Sequence, residues 1–208
     1  MNLKNLKYYM FAGMMAMVSL TSCSEDTDED TTYANWQERN VKAFNDTLKI
    51  ARSNTADWKV LLKYSYVGQT SSSSNKLVYN DEDYIAAKVL KSGADTMHVM
   101  STDSVVVHYA GYLINGHCFN KSWTGKFSEL TARPSKNSVL GFIDGFSTAL
   151  LSMHKGDEWE VYIPYSLAYG ASDQGTKGTS AYIPAYSTLK FNIKLVGIFR
   201  AGEKVYIK

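Results

Sequence analysis

Apolar residues recur at helical spacing near the start of the hydrophilic part of the chain. The stripe consists of Trp36, Val41, Phe44, Leu48 and Ala51, with polar residues between them. It predicts one amphipathic helix over residues 33–53. The spacing of Trp58, Leu61 and Leu62 favours a second short helix. Together these elements indicate a helical N-terminal extension over residues 33–83.

From residue 84 the hydrophobic pattern changes to alternation with a period of two, which is typical of strands with one solvated face. Strands are predicted over residues 84–91, 104–113, from 117 onward after the turn signal Asn115-Gly116, 158–163 and 189–195. Residues 145–154 suit a short helix, since Phe146, Leu150 and Met153 share one face. We therefore expect an α+β fold, in which an antiparallel β-sheet is half-wrapped around one short α-helix.

The composition narrows the class of protein. Among 208 residues, 45% are hydrophobic and 20% are charged, which indicates a globular chain. Fifteen Tyr and eight Phe indicate a β-rich core or an aromatic-lined cleft. A net charge of +2 with dispersed Lys and Arg argues against nucleic acid as a partner. The four His show no metal-ligand spacing, so we predict neither a metal site nor a cofactor.

The first residues resemble a bacterial lipoprotein signal. Lys4 and Lys7 precede an uncharged, mostly apolar stretch over residues 8–20, which is too short to span a bilayer comfortably. It ends in Leu20-Thr21-Ser22-Cys23, similar to a lipobox. This resemblance implies removal of residues 1–22 and lipidation of Cys23. An ordinary secretory signal and a spanning helix are the alternatives.

Residues 23–32 read as an acidic tether, because five of them are Asp or Glu. The run resembles the acidic signal that sends some Gram-negative lipoproteins to the cell surface, and a plain spacer is the alternative. We therefore predict a lipid-anchored protein of the outer membrane, on its periplasmic or cell-surface face. Only Cys118 would remain after lipidation of Cys23, so no intramolecular disulfide could form.

A series of short motifs occupies residues 84–200, followed by a tail over residues 201–208. The motifs are Val106-Val107-His108-Tyr109-Ala110-Gly111, Asn115-Gly116, Phe119-Asn120, Phe142-Ile143-Asp144-Gly145-Phe146, Gly156-Asp157, Ile163-Pro164 with Leu167-Ala168-Tyr169-Gly170, Ile183-Pro184-Ala185 and Ser187-Thr188-Leu189-Lys190-Phe191. Their order resembles the FKBP family of peptidyl-prolyl cis-trans isomerases, which also bind macrolides such as tacrolimus. The resemblance implies an isomerase domain over residues 84–200 that binds proline-containing polypeptides, with a macrolide as a further ligand.

The resemblance also assigns site residues. It implies catalytic positions at Tyr109, Phe119, Asn120, Ile143 and Tyr169, and substrate-binding positions at Phe142, Phe146, Ile183 and Phe191. Tyr169 matches the family tyrosine whose hydroxyl donates to a bound carbonyl, and the backbone N–H of Ile143 matches a second donor. Isomerisation needs no nucleophile, only an apolar cleft that favours a twisted amide. We expect the loop over residues 170–182 to close this cleft.

The chain departs from the family pattern at several positions. Phe146 stands where the family has Trp, and Asn120 stands where it has Asp. A family Phe falls at Asn137, with Phe127 or Trp123 as candidates to fill its place. These departures support an alternative, a non-catalytic FKBP-like module that binds peptides or acts as a chaperone. The run Gly145-Phe146-Ser147-Thr148-Ala149 resembles a nucleophile elbow and leaves a hydrolase as a weaker alternative.

Overall fold

The structure, a computed structural model, describes residues 31–70 and 77–202. The predicted signal, Cys23, all but the last two residues of the tether, and residues 203–208 lie outside the described residues. Thr31–Tyr33 form a single 3₁₀ turn. The predicted amphipathic helix is present as α1, Trp36–Ser53. It begins after Asn35, whose left-handed backbone (φ 50°) ends the preceding turn.

A seven-stranded, wholly antiparallel sheet forms the centre of the fold. Its strands are β1 (Trp58–Leu62), β2 (Tyr84–Lys91), β3 (Ser104–Tyr112), β4 (Cys118–Lys121), β5 (Ser135–Ser138), β6 (Glu158–Ile163) and β7 (Leu189–Phe199). The order is β1-β2-β6-β7-β3-β4, and β5 also pairs with β3. Two short strands therefore share one edge of β3. The first half of β3 pairs with β5 and the second half pairs with β4.

The predicted fold class is confirmed, and one predicted element is wrong. Trp58, Leu61 and Leu62 lie on the strand β1 instead of on a second helix. Their spacing suits a helix, but the segment pairs over all five residues with β2. The short helix of the prediction is α2, Asp144–Leu150. Within the described ranges, no helix is long and apolar enough to cross a membrane.

The inner face of the sheet packs against α2. Register places Val161 of β6 opposite Phe191 of β7, and Phe191 opposite Gly111 of β3, so these residues share the inner face. The ring of Phe146 on α2 lies 5.1 Å from the ring of Phe191. Gly145 allows the close approach of the helix, because a Cβ there would lie 2.3 Å from Ile163. Helix and sheet therefore form one core at this face.

Helix α1 covers the opposite, outer face at the β1-β2-β6 end. Its residues Phe44, Leu48 and Ala51 are almost fully buried against Ala86 of β2. Half-buried hydrophobic side chains surround this contact, namely Trp58, Val60, Tyr84 and Tyr162. Strand β2 is thus covered on both faces, which explains why consecutive residues 85–87 are all buried.

Candidate functional site

A cavity of about 390 Å³ opens beside α2, at the end of the inner face. Its volume lies within the range of small-molecule and peptide pockets. The lining residues are Tyr109, Phe119, Asn120, Gly141, Phe142, Ile143, Phe146, Tyr169 and Phe191. The structure therefore brings together every residue that the sequence assigned to the site except Ile183. Their roles in binding or catalysis remain predictions.

The cavity walls are an aromatic cluster whose rings meet edge to face. Phe191 contacts Phe119 and Phe146 with ring centroids 5.6 Å and 5.1 Å away. Tyr109 lies edge-on to Phe146 at 6.0 Å. Phe142 instead stacks nearly parallel on Phe146, at 4.6 Å and 15°. Such contacts fix the rings in place and leave an apolar surface toward the cavity.

Gly111 on β3 provides the space in which two of these rings pack. A Cβ at this position would lie 2.5 Å from the ring of Phe119 and 2.7 Å from the ring of Phe191. Real Cβ atoms do not approach that closely, so a side chain here would displace the rings. The glycine of the Tyr109-Ala110-Gly111 motif is therefore a packing requirement of the cavity wall.

Several polar groups of the cavity-lining residues have no hydrogen-bond partner among the described residues. They include the hydroxyls of Tyr109 and Tyr169, the side-chain amide of Asn120 and the backbone N–H of Ile143. Burial raises the pKa of both phenols above their ordinary value of 10.0, and for Tyr169 the neighbouring Tyr109 adds to the effect. Both hydroxyls are therefore protonated donors near neutral pH. An acceptor placed in the cavity could use them.

The cavity carries no charged side chain. Asn120 on β4 contributes an amide at the position where the sequence predicted a departure from the family carboxylate. Asp144, which directly follows the lining residue Ile143, is engaged elsewhere, since its carboxylate lies 2.6 Å from Nζ of Lys63. This bond raises the pKa of Lys63. Recognition in the cavity must therefore rest on apolar contacts and neutral hydrogen bonds.

One expectation about the aromatic lining is wrong. Trp123 and Phe127 do not fill the place left by Asn137. They pack on each other at 4.9 Å, and Phe127 packs on His108 at 5.2 Å, over the outer face of the sheet. Asn137 itself is exposed on β5, where it pairs with Val105. Gly141 was missed by the sequence analysis, and its position directly before the Phe142-Ile143 motif was the available signal.

Ile183 and the loop before it do not line the cavity. Ile183 is buried, and its backbone forms a bridge with Gln174, with N···O distances of 2.8 and 2.9 Å. The loop over residues 170–182 also supplies no lining residue, and the expectation that it closes the cleft stays a prediction. Asp173 holds it by accepting from the Tyr182 hydroxyl at 3.0 Å and from the Ala185 N–H at 2.7 Å.

The weaker alternatives find no support in the described part of the chain. Ser147, the residue at the nucleophile position of the elbow-like run, is 1% exposed and donates to the Val139 carbonyl at 2.8 Å. It therefore has neither access nor a neighbouring base. The described residues contain no group of three or more His, Cys, Asp or Glu arranged to hold a metal ion.

Comparison with known proteins points to one family. Residues 95–196 match the family described as FKBP-type peptidyl-prolyl cis-trans isomerase. The chain is 36% identical over 121 residues to the "FKBP-type 22 kDa peptidyl-prolyl cis-trans isomerase" of Escherichia coli, covering 58% of this chain and 53% of the relative. It is 34% identical to the "FK506-binding protein 2" of Dictyostelium discoideum, covering 50% of this chain and 71% of the relative.

A third relative is the "Outer membrane protein MIP" of Legionella longbeachae, 34% identical over 49% of this chain and 39% of the relative. The chain spans about half the length of the first curated relatives that it matches. Among solved structures, a peptidyl-prolyl cis-trans isomerase from Pseudomonas syringae superposes with a TM-score of 0.53 at 22% identity. That match covers 79% of this chain and 96% of the other, and it supports the fold alone.

Proposed function

Because the chain belongs to the family of FKBP-type peptidyl-prolyl cis-trans isomerases, we propose that it catalyses cis-trans isomerisation of X-Pro bonds in envelope or exported proteins. One observation carries the proposal. The cavity has apolar aromatic walls, and its lining residues carry hydrogen-bond donors that no described residue uses. This is the combination that a proline ring and its flanking carbonyls require.

The reaction is slow without a catalyst because the amide has partial double-bond character. The rotation barrier is ~18–20 kcal/mol. In the twisted transition state the nitrogen no longer conjugates with the carbonyl. An apolar environment that removes water from the amide favours this less polar state over the planar ground state. Aromatic side chains such as Phe119, Phe146 and Phe191 supply that environment here.

Hydrogen-bond donors would orient the substrate in the cavity. Tyr169 and Ile143 both line the cavity, and the Tyr169 hydroxyl and the Ile143 N–H have no acceptor among the described residues. Each could donate to a substrate carbonyl and hold the peptide while the X-Pro bond turns. Since neither donor is bonded to a described residue, the substrate gains these bonds without breaking one within the described part of the protein.

The test is catalysed refolding of a substrate whose slow phase is limited by prolyl isomerisation. The purified chain should accelerate that phase, and Phe119→Ala should reduce the acceleration. Phe127→Ala is the matched control, because it removes the same ring from the outer face of the sheet. A slow phase that wild-type protein leaves unchanged would contradict the proposed activity.

A specific observation favours a second function, a non-catalytic module for peptide binding or chaperone action. The only polar side chain of the cavity besides the tyrosines is the amide of Asn120, where the family pattern has a carboxylate. Such a module would bind proline-containing peptides or a macrolide without speeding refolding. Titration of a proline peptide by calorimetry, run beside the refolding assay, distinguishes the two functions.

We further propose that the protein is lipidated at Cys23 and held at the outer membrane, on its periplasmic or cell-surface face. The lipobox-like run Leu20-Thr21-Ser22-Cys23 supports this, and one relative is named an outer membrane protein. Cys23→Ala should move the protein from the membrane fraction to the soluble fraction of cells. Wild-type protein that already fractionates as soluble would overturn the anchor.

A further inference from the structure

A buried hydrogen-bond network joins α1 to the turn before β7. Asn40 is 0% exposed although its side chain is polar. Its Oδ1 accepts from the Thr188 N–H at 2.8 Å, and its Nδ2 donates to the Trp36 carbonyl at 2.7 Å. The Thr188 hydroxyl donates to the Asn40 carbonyl at 3.1 Å. Trp36 Nε1 donates to Ser187 Oγ at 2.9 Å, so two consecutive residues of the turn are bound to the helix.

The turn held in this way contains a strained residue. Tyr186 has φ of +60°, in the left-handed region that bulky residues avoid. A residue adopts such a conformation only where its surroundings fix it on more than one side. On one side are Ser187 and Thr188, bound to α1. On the other side the Tyr186 N–H donates to the Gly170 carbonyl at 2.8 Å.

That last bond reaches the functional site, because Gly170 directly follows Tyr169. The Tyr169 side chain is 39% exposed, and its hydroxyl has no hydrogen bond to a described residue. Its place at the cavity therefore depends on its backbone more than on contacts of its own hydroxyl. The backbone of Gly170 is fixed from two directions, by the Tyr186 N–H and by its own N–H, which donates to the Tyr165 carbonyl at 2.9 Å.

We infer that Asn40 is a positioning residue for the proposed isomerase. It holds the turn 184–188 and, through the bond from Tyr186 to Gly170, the backbone that presents the Tyr169 hydroxyl to the substrate. The inference rests on the proposed function for its catalytic consequence, but not for the structural coupling itself. Helix α1 then helps to position a residue of the functional site, in addition to packing on the outer face of the sheet.

The test compares Asn40→Ala with Asn45→Ala in the full chain. Asn45 lies on the exposed side of the same helix, and its side chain has no hydrogen bond among the described residues. Hydrogen exchange followed by mass spectrometry should show faster exchange in residues 168–188 for Asn40→Ala and not for Asn45→Ala. Strands β3 and β5 should keep their wild-type exchange in both variants. Faster exchange everywhere would mean general destabilisation and would overturn the inference.

Kinetics in a double-mutant cycle provide the second readout. If Asn40 acts through Tyr169, Asn40→Ala lowers kcat/KM by no more than Tyr169→Phe does, roughly two- to tenfold. In the Tyr169→Phe background, Asn40→Ala should then have almost no further effect. Independent, multiplicative losses would overturn the inference.

A milder variant covers the case in which Asn40→Ala does not fold. Thr188→Val removes only the hydroxyl bond to the Asn40 carbonyl and keeps the backbone bond to Oδ1. It should give a smaller change of the same kind in the same segment. A wild-type protein without isomerase activity would refute the proposed function, whereas unchanged exchange in residues 168–188 for both network variants would refute the coupling. The two failures are therefore distinguishable.

Discussion

Replacing Tyr169 by phenylalanine removes one hydroxyl and keeps the ring, so it separates substrate binding from packing. The hydroxyl has no hydrogen-bond partner among the described residues, and the side chain is 39% exposed. Its loss therefore leaves no unsatisfied group behind, and the free energy of unfolding should change by less than about 0.5 kcal/mol. If the hydroxyl donates to a substrate carbonyl, its loss costs roughly 0.5–1.5 kcal/mol of transition-state stabilisation. This corresponds to a decrease of roughly two- to tenfold in kcat/KM.

The assay measures thermal unfolding and catalysed refolding on the same preparation. Tyr162→Phe is the matched control, since the Tyr162 hydroxyl donates to Glu160 at 2.7 Å on the outer face. Burial raises the pKa of Tyr162, and the bond to Glu160 adds to this effect. The control should lower the melting temperature and leave activity per folded molecule unchanged. A Tyr169→Phe protein that loses stability but keeps wild-type turnover would refute the substrate-binding role and favour the non-catalytic module.

Three further predictions concern the cavity and the boundary of the domain. Asn120→Asp should raise isomerase activity, measured by refolding, or tighten macrolide binding, measured by titration, because it restores a carboxylate at the cavity. Unchanged or lower values would mean that the amide has no effect on activity or suits another ligand. Gly111→Ala should lower the free energy of unfolding by about 1–3 kcal/mol and reduce activity, because its Cβ meets the rings of Phe119 and Phe191; a wild-type melting curve would contradict this. A fragment of residues 84–200 should fold with a lower melting temperature, because it keeps the inner core but loses α1 and β1; an unfolded fragment would show that these two elements are required.

Much of the sheet could be predicted because its strands have one buried face and one solvent-exposed face. In β6, Trp159 and Val161 are buried while their neighbours are less so, and this alternation is visible in the sequence. Strand β5 gave no such signal, since Ser135–Ser138 contains no hydrophobic residue. It exists because the edge of β3 needs partners for its backbone groups, and this requirement depends on tertiary structure.

Strand β1 was misread because its two faces are covered by different partners. Register places Leu61 beside Ile85 on the inner face, whereas Trp58 and Val60 pack toward α1 on the outer face. A strand that is partly covered on both sides loses its alternation, and three apolar residues can then imitate helical spacing. The sequence of the neighbouring strand β2 did indicate two covered faces, because the run Ile85-Ala86-Ala87 is apolar without alternation.

The position of Asn40 shows where a single sequence could have gone further and where it could not. Trp36, Asn40, Phe44 and Leu48 are spaced by four residues, so Asn40 lies within the apolar stripe of α1. A polar side chain in a buried stripe must find hydrogen-bond partners, since leaving it unpaired costs roughly 1–3 kcal/mol. The pattern therefore demands a polar counterpart in whatever surface α1 covers. It cannot say that the counterpart is Thr188, 148 residues away, because that pairing is set by the way the sheet brings the turn before β7 next to the helix. The same limit applies to the prediction of the cavity lining. The motifs predict most of the lining residues, but the tertiary structure determines that Gly141 lines the cavity and Ile183 does not.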